Sequence, residues 1–335
     1  MKKFKTHPQY KHLDKMTEKN APSIISKISK YIDTRTRLLI GSIILLSIAL
    51  TFISPAFFTV LNFEVVLETM VILSVLAMGE TFLLIGGEID ISLESVMTFV
   101  AVTVVRAQYY FSWYYAVILG LLAGAGWGAV NGFFTIKSRI PSFLVTLATM
   151  MAIRGFALLL TEYRSWTYPW GMIDNLFRFK ITTVVSIAIF WMIGIVIVSV
   201  LILNRTRFGR RVYACGGNRD GSEMIGVPVK KTKFWSFVLM GLLTAIAACL
   251  ILTRNRAADA LIGEGYLLAT IGAPVLGGAT LAGGTGSAFK GFLGALLLTL
   301  VINGSNLMGL PPAYQNIFVG SILITLLALG IVWRR

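Results

Sequence analysis

The chain has 335 residues, of which 56% are hydrophobic and only 13% are charged. Soluble domains carry about a quarter charged residues, so this composition excludes an ordinary soluble globular protein. The net charge is +15, yet ten of the thirty Lys and Arg residues lie in 1–37 and eight more lie in 204–233. Basic clusters beside apolar runs are typical of the cytoplasmic loops of membrane proteins, so we expect a lipid bilayer and not nucleic acid as the surroundings.

Apolar runs long enough to cross about 30 Å of hydrocarbon recur along the chain. They predict an all-α polytopic membrane helical bundle, with a basic cytoplasmic arm at 1–37 and a transmembrane domain at 38–335. The ten predicted spans are 38–57, 63–86, 91–108, 114–135, 141–160, 181–203, 234–253, 266–282, 288–308 and 314–333. The arm has no apolar core or cleavage site of a signal peptide.

The charge bias of the loops predicts the orientation of these ten spans. Basic residues in 136–140, in 204–233 and at the last two positions place both termini in the cytoplasm. Arg254 and Arg256 fall on the opposite side and are the visible exception.

The segment IGGEIDISLES at 85–95 places three carboxylates between apolar runs: Glu88, Asp90 and Glu94. An ionised side chain at the centre of a spanning helix costs roughly 2.5–3.5 kcal/mol, so these acids do not face lipid at mid-depth. The Gly-Gly pair favours a helix end, after which Asp90 or Ser92 caps the next helix with Glu94 in its first turn. The segment lies either at the cytoplasmic rim or in a broken helix further inside, and the glycine break favours the latter.

Glu80 and Glu88 lie eight residues apart and share one helical face if the helix continues through the glycines. An acidic stripe inside a bundle predicts a hydrated path whose carboxylates bind a polyol, or ion pairs with Arg106 or Arg154. Amides within spans are candidates for the same path or, equally, for helix–helix hydrogen bonds. The candidates for the translocation path are Glu80, Glu88, Asp90, Ser92, Glu94, Asn131, Asn303 and Asn306.

The segment 161–180 is rich in aromatic residues and is predicted to lie on the extracytoplasmic side of the membrane. Its aromatic side chains form either an interfacial belt or a docking surface for an extracytoplasmic partner. They are Tyr163, Trp166, Tyr168, Trp170 and Phe177.

The loop 204–233 is the longest polar segment after the N-terminal arm. Asn218 or Asp220 is predicted to cap a short helix that ends near Gly226. Such a helix is either a simple hairpin between spans or the element that a soluble motor subunit grips.

A faint internal repeat joins LLIGGEIDISLES at 83–95 to APVLGGATLAGGTGS at 273–287. Both have an apolar run, a Gly-Gly pair and a small or polar stretch before the next span. The pattern suggests that spans 1–4 and 7–10 are related in parallel, as repeats are in many transporters.

Three segments in order give the chain a family resemblance that covers roughly residues 40–330. YACGGNRDGSEMIGVPVKK, GETFLLIGGEIDISLES and GEGYLLATIGAPVLGGATLAGGTGSAFKGFLGALL resemble the signatures of ribose-type ABC importer permeases. Asp220 and Gly221 stand where that family usually has two alanines, which predicts a less stable coupling helix here. Glu80, Glu94 and Leu267 also depart from the family pattern and leave the substrate open.

The resemblance implies an inner-membrane permease subunit that moves a monosaccharide or related polyol inward. Its implied partners are separate ABC ATPase subunits, an extracytoplasmic sugar-binding protein, and a second permease copy or paralogue. The ATPase-coupling residues that it implies are Tyr213, Gly216, Gly217, Asn218, Asp220, Glu223, Gly226 and Val227.

The alternative is an ion-coupled secondary transporter that uses Glu80, Glu88 and Asp90 as relays. An enzyme is not expected, because both histidines lie in the arm and no HExxH motif occurs. We expect no cofactor and no metal, and the chain has no phosphate-binding G-x-x-x-x-G-K-[ST] motif. The two cysteines, at 215 and 249, imply no disulfide framework.

Overall fold

The computed structural model describes residues 33–332, apart from residues 139, 168–171 and 183–184. Residues 39–332 belong to one unit and are considered by themselves. Residues 1–32 of the predicted arm therefore lie outside the described residues. In the described part the chain is helical almost throughout, which confirms the all-α membrane bundle.

Thirteen α-helices and two very short strands are present in the described ranges. The helices are α1 Thr34–Ile53, α2 Val60–Ile85, α3 Leu93–Gln108, α4 Trp113–Ser138, α5 Ser142–Thr161, α6 Met172–Phe177, α7 Ile187–Arg205, α8 Arg207–Gly217, α9 Arg219–Met224, α10 Val229–Asn255, α11 Leu267–Leu276, α12 Ala288–Leu307 and α13 Pro312–Val332. A 3₁₀ turn, Pro55–Phe58, precedes α2. Strands β1 Trp166–Thr167 and β2 Ala257–Ala258 pair antiparallel.

Seven of the described helices are long and apolar enough to cross a bilayer: α1, α2, α4, α5, α7, α10 and α12. Each of the ten predicted spans overlaps a helix, but α3 and α11 have only 16 and 10 residues. At 1.5 Å per residue they cover about 24 and 15 Å, less than the hydrocarbon thickness. The predicted spans 91–108 and 266–282 are therefore partial helices, because each adjoins a glycine-rich break.

Helix α2 lies at the centre of the bundle and is buried from Met70 to Ile85. It packs against α7, α10, α11 and α12. A helix that is apolar on all sides is stable only when protein or lipid surrounds it completely, and here the surroundings are protein. The acids of this helix and of the break that follows it are consequently shielded from lipid.

Helices α4 and α10 have the most extensive contact among the described helices, and glycine makes this possible. Gly120, Gly124, Gly128 and Gly132 recur every four residues along one face of α4. A Cβ at Gly124 would lie 2.5 Å from the carbonyl oxygen of Gly241, and one at Gly128 would overlap a backbone carbonyl of α10. Small residues at this spacing allow two membrane helices to approach backbone to backbone.

The two Gly-Gly pairs end their helices in the same way. Gly87 and Gly278 both have positive φ, at 74° and 94°. The amide of Glu88 donates to the carbonyl of Leu83 at 2.9 Å. At the end of α11, the amide of Ala279 donates to the carbonyl of Pro274 at 2.8 Å. This is the Schellman arrangement, in which glycine adopts the left-handed conformation without strain. The shared geometry supports the repeat at these two segments.

One end of the bundle carries α8 and α9, and we refer to it as the α8–α9 end. The opposite end carries β1 and β2 and an ion-pair network around Glu68, which accepts from Arg178 at 3.2 Å and from Arg254 at 3.3 Å. Lys180 pairs with Glu64 beside it, at 2.5 Å. These bonds explain the exception in the loop charges, because Arg254 is neutralised by a carboxylate of α2.

Candidate functional site

Three glycine-rich segments meet at the α8–α9 end. We call their contact the glycine junction, and it consists of Gly87, Gly216, Gly217, Gly283 and Gly284. The amide of Gly284 donates to the carbonyl of Ile85 at 2.8 Å, so the second break is bonded directly to the end of α2.

The glycine junction leaves no room for a side chain at Gly216, Gly283 or Gly284. A Cβ at Gly283 would lie 2.8 Å from the Cα of Gly87 and 2.9 Å from that of Gly216. A Cβ at Gly216 would overlap the carbonyl oxygen of Ile85. The C-terminus of α8 therefore lies in backbone contact with both helix breaks, and a displacement of α8 must displace them as well.

Helix α2 has 26 residues and a length of about 39 Å, so the break that follows it lies at the α8–α9 end and not at mid-bundle. The prediction that favoured a deeper position was wrong. The glycine pair does break the helix, but it does so after a full crossing.

Helix α8 is anchored at both of its ends. The Thr206 hydroxyl accepts from the amide of Gly209 at 3.1 Å and caps the first turn. Near the last turn, the Tyr213 hydroxyl donates to the carbonyl of Gly286 at 2.9 Å. Burial raises the pKa of Tyr213, so the phenol stays protonated and remains a donor at neutral pH.

Helix α9 begins where the sequence predicts. The Asn218 side chain accepts from the amide of Gly221 at 2.9 Å, which confirms Asn218 as the cap. The chain leaves the helix through Gly226, with a φ of 81°. The amide of Val227 donates back to the carbonyl of Ser222 at 2.9 Å, and the Ser222 hydroxyl ties α9 to the last turn of α8.

The outer face of α9 exposes apolar side chains. Met224 is 88% exposed and Ile225 is 80% exposed. Glu223 pairs with Arg219 one turn away, at 3.6 Å, and Asp220 is exposed beside them. Two large apolar side chains at the tip of a polar loop are typical of a contact with another protein.

A buried polar network lies just inside the first break. Asp90 Oδ1 accepts from the amide of Ser92 at 2.8 Å and from its hydroxyl at 2.6 Å. Asn131 Nδ2 donates to the Ser92 hydroxyl at 2.8 Å, and Thr149 donates to Asn131 at 2.7 Å. The Glu80 carboxylate accepts from the backbone amide of Asp90 at 3.4 Å.

Four of the predicted path residues thus come together: Glu80, Asp90, Ser92 and Asn131. Ser92 occupies the cap position of α3, but its side chain makes no cap hydrogen bond because it donates to Asp90. The sequence predicted that either Asp90 or Ser92 caps α3, and neither side chain does so. The network instead satisfies backbone amides of the break, as buried polar groups require.

Glu94 lies in the first turn of α3, as predicted. Its carboxylate reaches across to α11, where it accepts from the amide of Leu267 at 2.7 Å. Nearby, the Thr98 hydroxyl accepts from the amide of Gly263 at 3.1 Å. Glu94 therefore stabilises the unpaired N-terminus of the short helix α11.

Glu88 does not share a helical face with Glu80, because the helix ends at Ile85. Its carboxylate pairs with Lys233 Nζ at 2.5 Å, and both side chains are 11% exposed. Arg106 and Arg154 pair instead with Glu162 and Glu264, so the predicted partners were wrong. The sequence reasoning missed Lys233, although its place at the edge of a predicted span was a usable signal.

A cavity of about 580 Å³ opens beside the Glu88–Lys233 pair. Arg219, Thr135 and Ser142 also line it. The Ser142 hydroxyl accepts from the amide of Ile89 at 3.1 Å, which holds the break against α5. The cavity therefore joins the polar break to the start of α9.

The two remaining candidates lie elsewhere. Asn303 pairs reciprocally with Asn62, with bonds of 2.7 and 3.2 Å, and so joins α12 to α2. Asn306 accepts from Gln315 at 2.6 Å at an exposed position. Neither is near the network of Asp90, and the helix–helix alternative describes Asn303 best.

The aromatic segment at the opposite end has divided roles. Phe177 is buried and stacks on Trp191, with ring centroids 5.5 Å apart. The guanidinium groups of Arg106 and Arg164 both lie over the Trp166 ring, 4.2 and 4.3 Å from its centroid. Tyr163 is 77% exposed, while the predicted Tyr168 and Trp170 lie outside the described residues.

Comparison with known proteins identifies relatives over most of the chain. The family model described as branched-chain amino acid transport system / permease component matches residues 62–327. The chain is 34% identical over 266 residues to the ribose import permease protein RbsC of Escherichia coli K12, covering 78% of this chain and 82% of that protein. No solved structure matches at a significant level.

Two further relatives carry other names. The identity is 33% over 246 residues with the autoinducer 2 import system permease protein LsrC of Yersinia enterocolitica, covering 72% of this chain and 68% of that protein. It is 34% over 257 residues with the L-arabinose transport system permease protein AraH of Escherichia coli K12, covering 76% and 77%. With the apolar helical bundle, these matches show that the chain belongs to this permease family, as a multi-pass, ribose-type ABC permease.

Proposed function

We propose that the chain forms the translocation path of an ATP-driven importer for a monosaccharide or related polyol. The named relatives import ribose, L-arabinose and autoinducer 2, which supports this class of substrate. ATP hydrolysis takes place on a separate ABC ATPase. The permease converts the movement of that partner into a change at the helix breaks.

The glycine junction is the observation that carries this proposal. In the coupling segment, Met224 and Ile225 supply an exposed apolar contact for the ATPase. Asn218, Gly226 and Val227 hold the shape of α9, while Gly216 and Gly217 meet the two breaks. A push on α9 is therefore transmitted through α8 to the ends of α2 and α11 without a flexible link.

The path residues in this proposal are those that the structure brings together at the first break. Asp90, Ser92 and Asn131 supply hydrogen-bonding groups, and Glu88 lines the adjoining cavity. Glu94 acts indirectly, because it holds the start of α11 in place. Asn303 and Asn306 have no part in this path.

The opposite end is proposed to face the extracytoplasmic sugar-binding protein, with both termini of the chain in the cytoplasm. Its surface exposes Tyr109, Tyr163 and the cationic pair Arg106 and Arg164 around Trp166. The Arg106 guanidinium lowers the pKa of Glu162, so this carboxylate remains charged and holds both arginines near neutral pH. Aromatic and arginine side chains are the usual anchors of protein interfaces. A second permease copy or paralogue completes the membrane part.

The test is uptake by proteoliposomes that contain the permease, its ATPase and its binding protein. Gly216→Ala places a methyl group against the Ile85 carbonyl, and overpacking of this kind costs about 1–3 kcal/mol. We expect ATP-driven uptake to fall about tenfold or more, with ATPase binding retained. Gly155→Ala, in α5, is the control, because a Cβ there meets open space.

Labelled ribose, L-arabinose and autoinducer 2 serve as the substrates of this assay. Equal uptake by the Gly216→Ala and Gly155→Ala proteins would exclude transmission through the glycine junction. Uptake driven by an ion gradient without any ATPase would favour the secondary transporter instead. Family membership weighs against that outcome.

A further inference from the structure

A cavity of about 810 Å³ lies at the α8–α9 end, between the last turns of α4 and the first turns of α10. Its lining has a basic half and an apolar half. The basic half consists of Lys137, Arg219, Lys230 and Lys231. The apolar half consists of Phe133, Ile136, Phe234 and Trp235.

The positive charge of this cavity is largely unneutralised. Among the described residues, Lys137, Lys230 and Lys231 form no ion pair with a carboxylate. Of the two acids in the lining, Glu223 is paired with Arg219 and only Asp220 remains. The cavity therefore has an excess of positive charge and suits an anionic ligand.

The cavity also lies at the ends of two helices that are long and apolar enough to cross a bilayer. Lys137 is the penultimate residue of α4, and Lys230 and Lys231 are the second and third residues of α10. Farther into the spans, Phe133 is 48% exposed and Trp235 is 57% exposed. Exposed aromatic rings beside lysines at a span end are typical of the interface between lipid and water.

We propose that this cavity binds the phosphate headgroup of an anionic phospholipid in the leaflet at the α8–α9 end. The lysines contact the phosphate oxygens, and Phe133 and Trp235 lie against an acyl chain. A free phosphate would use only the basic half, whereas a phospholipid also covers the exposed rings. Three of its lining residues, Arg219, Asp220 and Glu223, belong to α9, so the lipid site adjoins the contact proposed for the ATPase.

The experiment uses the full chain in nanodiscs of phosphatidylcholine and phosphatidylglycerol, with bromine on the acyl chains of one lipid at a time. Bromine quenches nearby tryptophans, and the Trp235→Phe protein isolates the contribution of Trp235. A basic side chain near an anionic surface contributes about fivefold in affinity. We expect brominated phosphatidylglycerol to quench Trp235 with at least about fivefold higher apparent affinity than brominated phosphatidylcholine.

The triple substitution Lys137→Gln, Lys230→Gln and Lys231→Gln should bring this ratio to about one. The matched control Arg205→Gln, Arg210→Gln and Arg211→Gln removes the same charge from exposed positions at the same end and should retain the ratio. Circular dichroism checks that both proteins are folded. Lys137→Gln alone, in an exposed last turn, replaces the triple protein if that one does not fold.

Three results would overturn the proposal. The first is equal quenching by both lipids in the wild type, or a ratio that the lysine substitutions leave unchanged. The second is a change in Trp235 fluorescence with inorganic phosphate as large as that with phosphatidylglycerol, which would identify a soluble ligand. The third is a triple lysine variant that no longer binds the ATPase but keeps the wild-type ratio of apparent lipid affinities, which would identify a protein contact.

Discussion

The Glu88–Lys233 pair joins the first helix break to the start of α10. Both side chains are 11% exposed, so each charge is largely removed from water. A buried ion pair adds little to stability as a unit, but a charge left without its partner is costly. The pair is thus a positional constraint on the break next to the glycine junction.

Lys233→Met should therefore destabilise the protein by roughly 3–5 kcal/mol, because it leaves the Glu88 carboxylate unpaired. The measurement is the midpoint of thermal unfolding in detergent. Adding Glu88→Gln to the same protein removes the orphaned charge, so we expect the double variant to be more stable than Lys233→Met alone. If the double variant is the less stable of the two, the pairing does not determine the effect.

Asp220 and Gly221 replace the two alanines usual in the family, and the glycine has two opposite effects on α9. Asp220 and Gly221 lower the helix propensity of α9, as the sequence indicates. A Cβ at Gly221, however, would lie 2.9 Å from Asn218 Nδ2, inside the cap. The glycine is compatible with the cap, so α9 forms despite its low propensity.

At the scale of elements, the pairing of α4 with α10 depends on Gly124, Gly128 and Gly132 of α4, whereas Gly120 faces α3. At Gly124 and Gly128 the nearest atoms of α10 are backbone carbonyl oxygens, so a side-chain movement cannot relieve an overlap there. Helix α4 also has Gly126, where a Cβ would meet open space. It therefore contains its own control.

Gly128→Ala should destabilise the protein by about 1–3 kcal/mol, because the added methyl overlaps the carbonyl of Phe237. Gly126→Ala should be neutral or slightly stabilising, because alanine has the higher helix propensity. Both are compared by thermal unfolding in the same detergent. Similar losses of stability for the two variants would mean that these glycines of α4 do not act through the close contact with α10.

At the scale of the whole molecule, the two ends of the bundle differ. The α8–α9 end has cavities of about 810 and 580 Å³. At the opposite end, the cavity lined by Glu68, Arg178, Arg254 and Ser186 measures only about 20 Å³. Ion pairs from Glu68 to Arg178 and Arg254 cross this small cavity.

Glu68→Gln should open that end more often, because it removes the shared carboxylate from both pairs. Ser186→Cys places a thiol in the small cavity, and its rate of maleimide labelling reports the opening. We expect labelling about tenfold faster in the Glu68→Gln background. Labelling of the buried Cys249 should not change, and an increase there would indicate general unfolding.

Much of the fold and part of the site follow from local sequence. The apolar runs, the glycine ends of α2 and α11, and the Asn218 cap all depend on residues within about one or two helical turns. The sequence also identified Glu80, Asp90, Ser92 and Asn131, because polar groups inside apolar spans are rare and need partners.

What the sequence by itself determined was the membrane bundle, its glycine breaks and the Asn218 cap, since each follows from short-range backbone and hydrophobic requirements. The tertiary structure decided which groups meet. Glu88 and Lys233 are 145 residues apart, Glu94 and Leu267 are 173 apart, and Asn62 and Asn303 are 241 apart. Side-chain periodicity within a helix holds no information on such pairs, because packing between distant helices selects the partner.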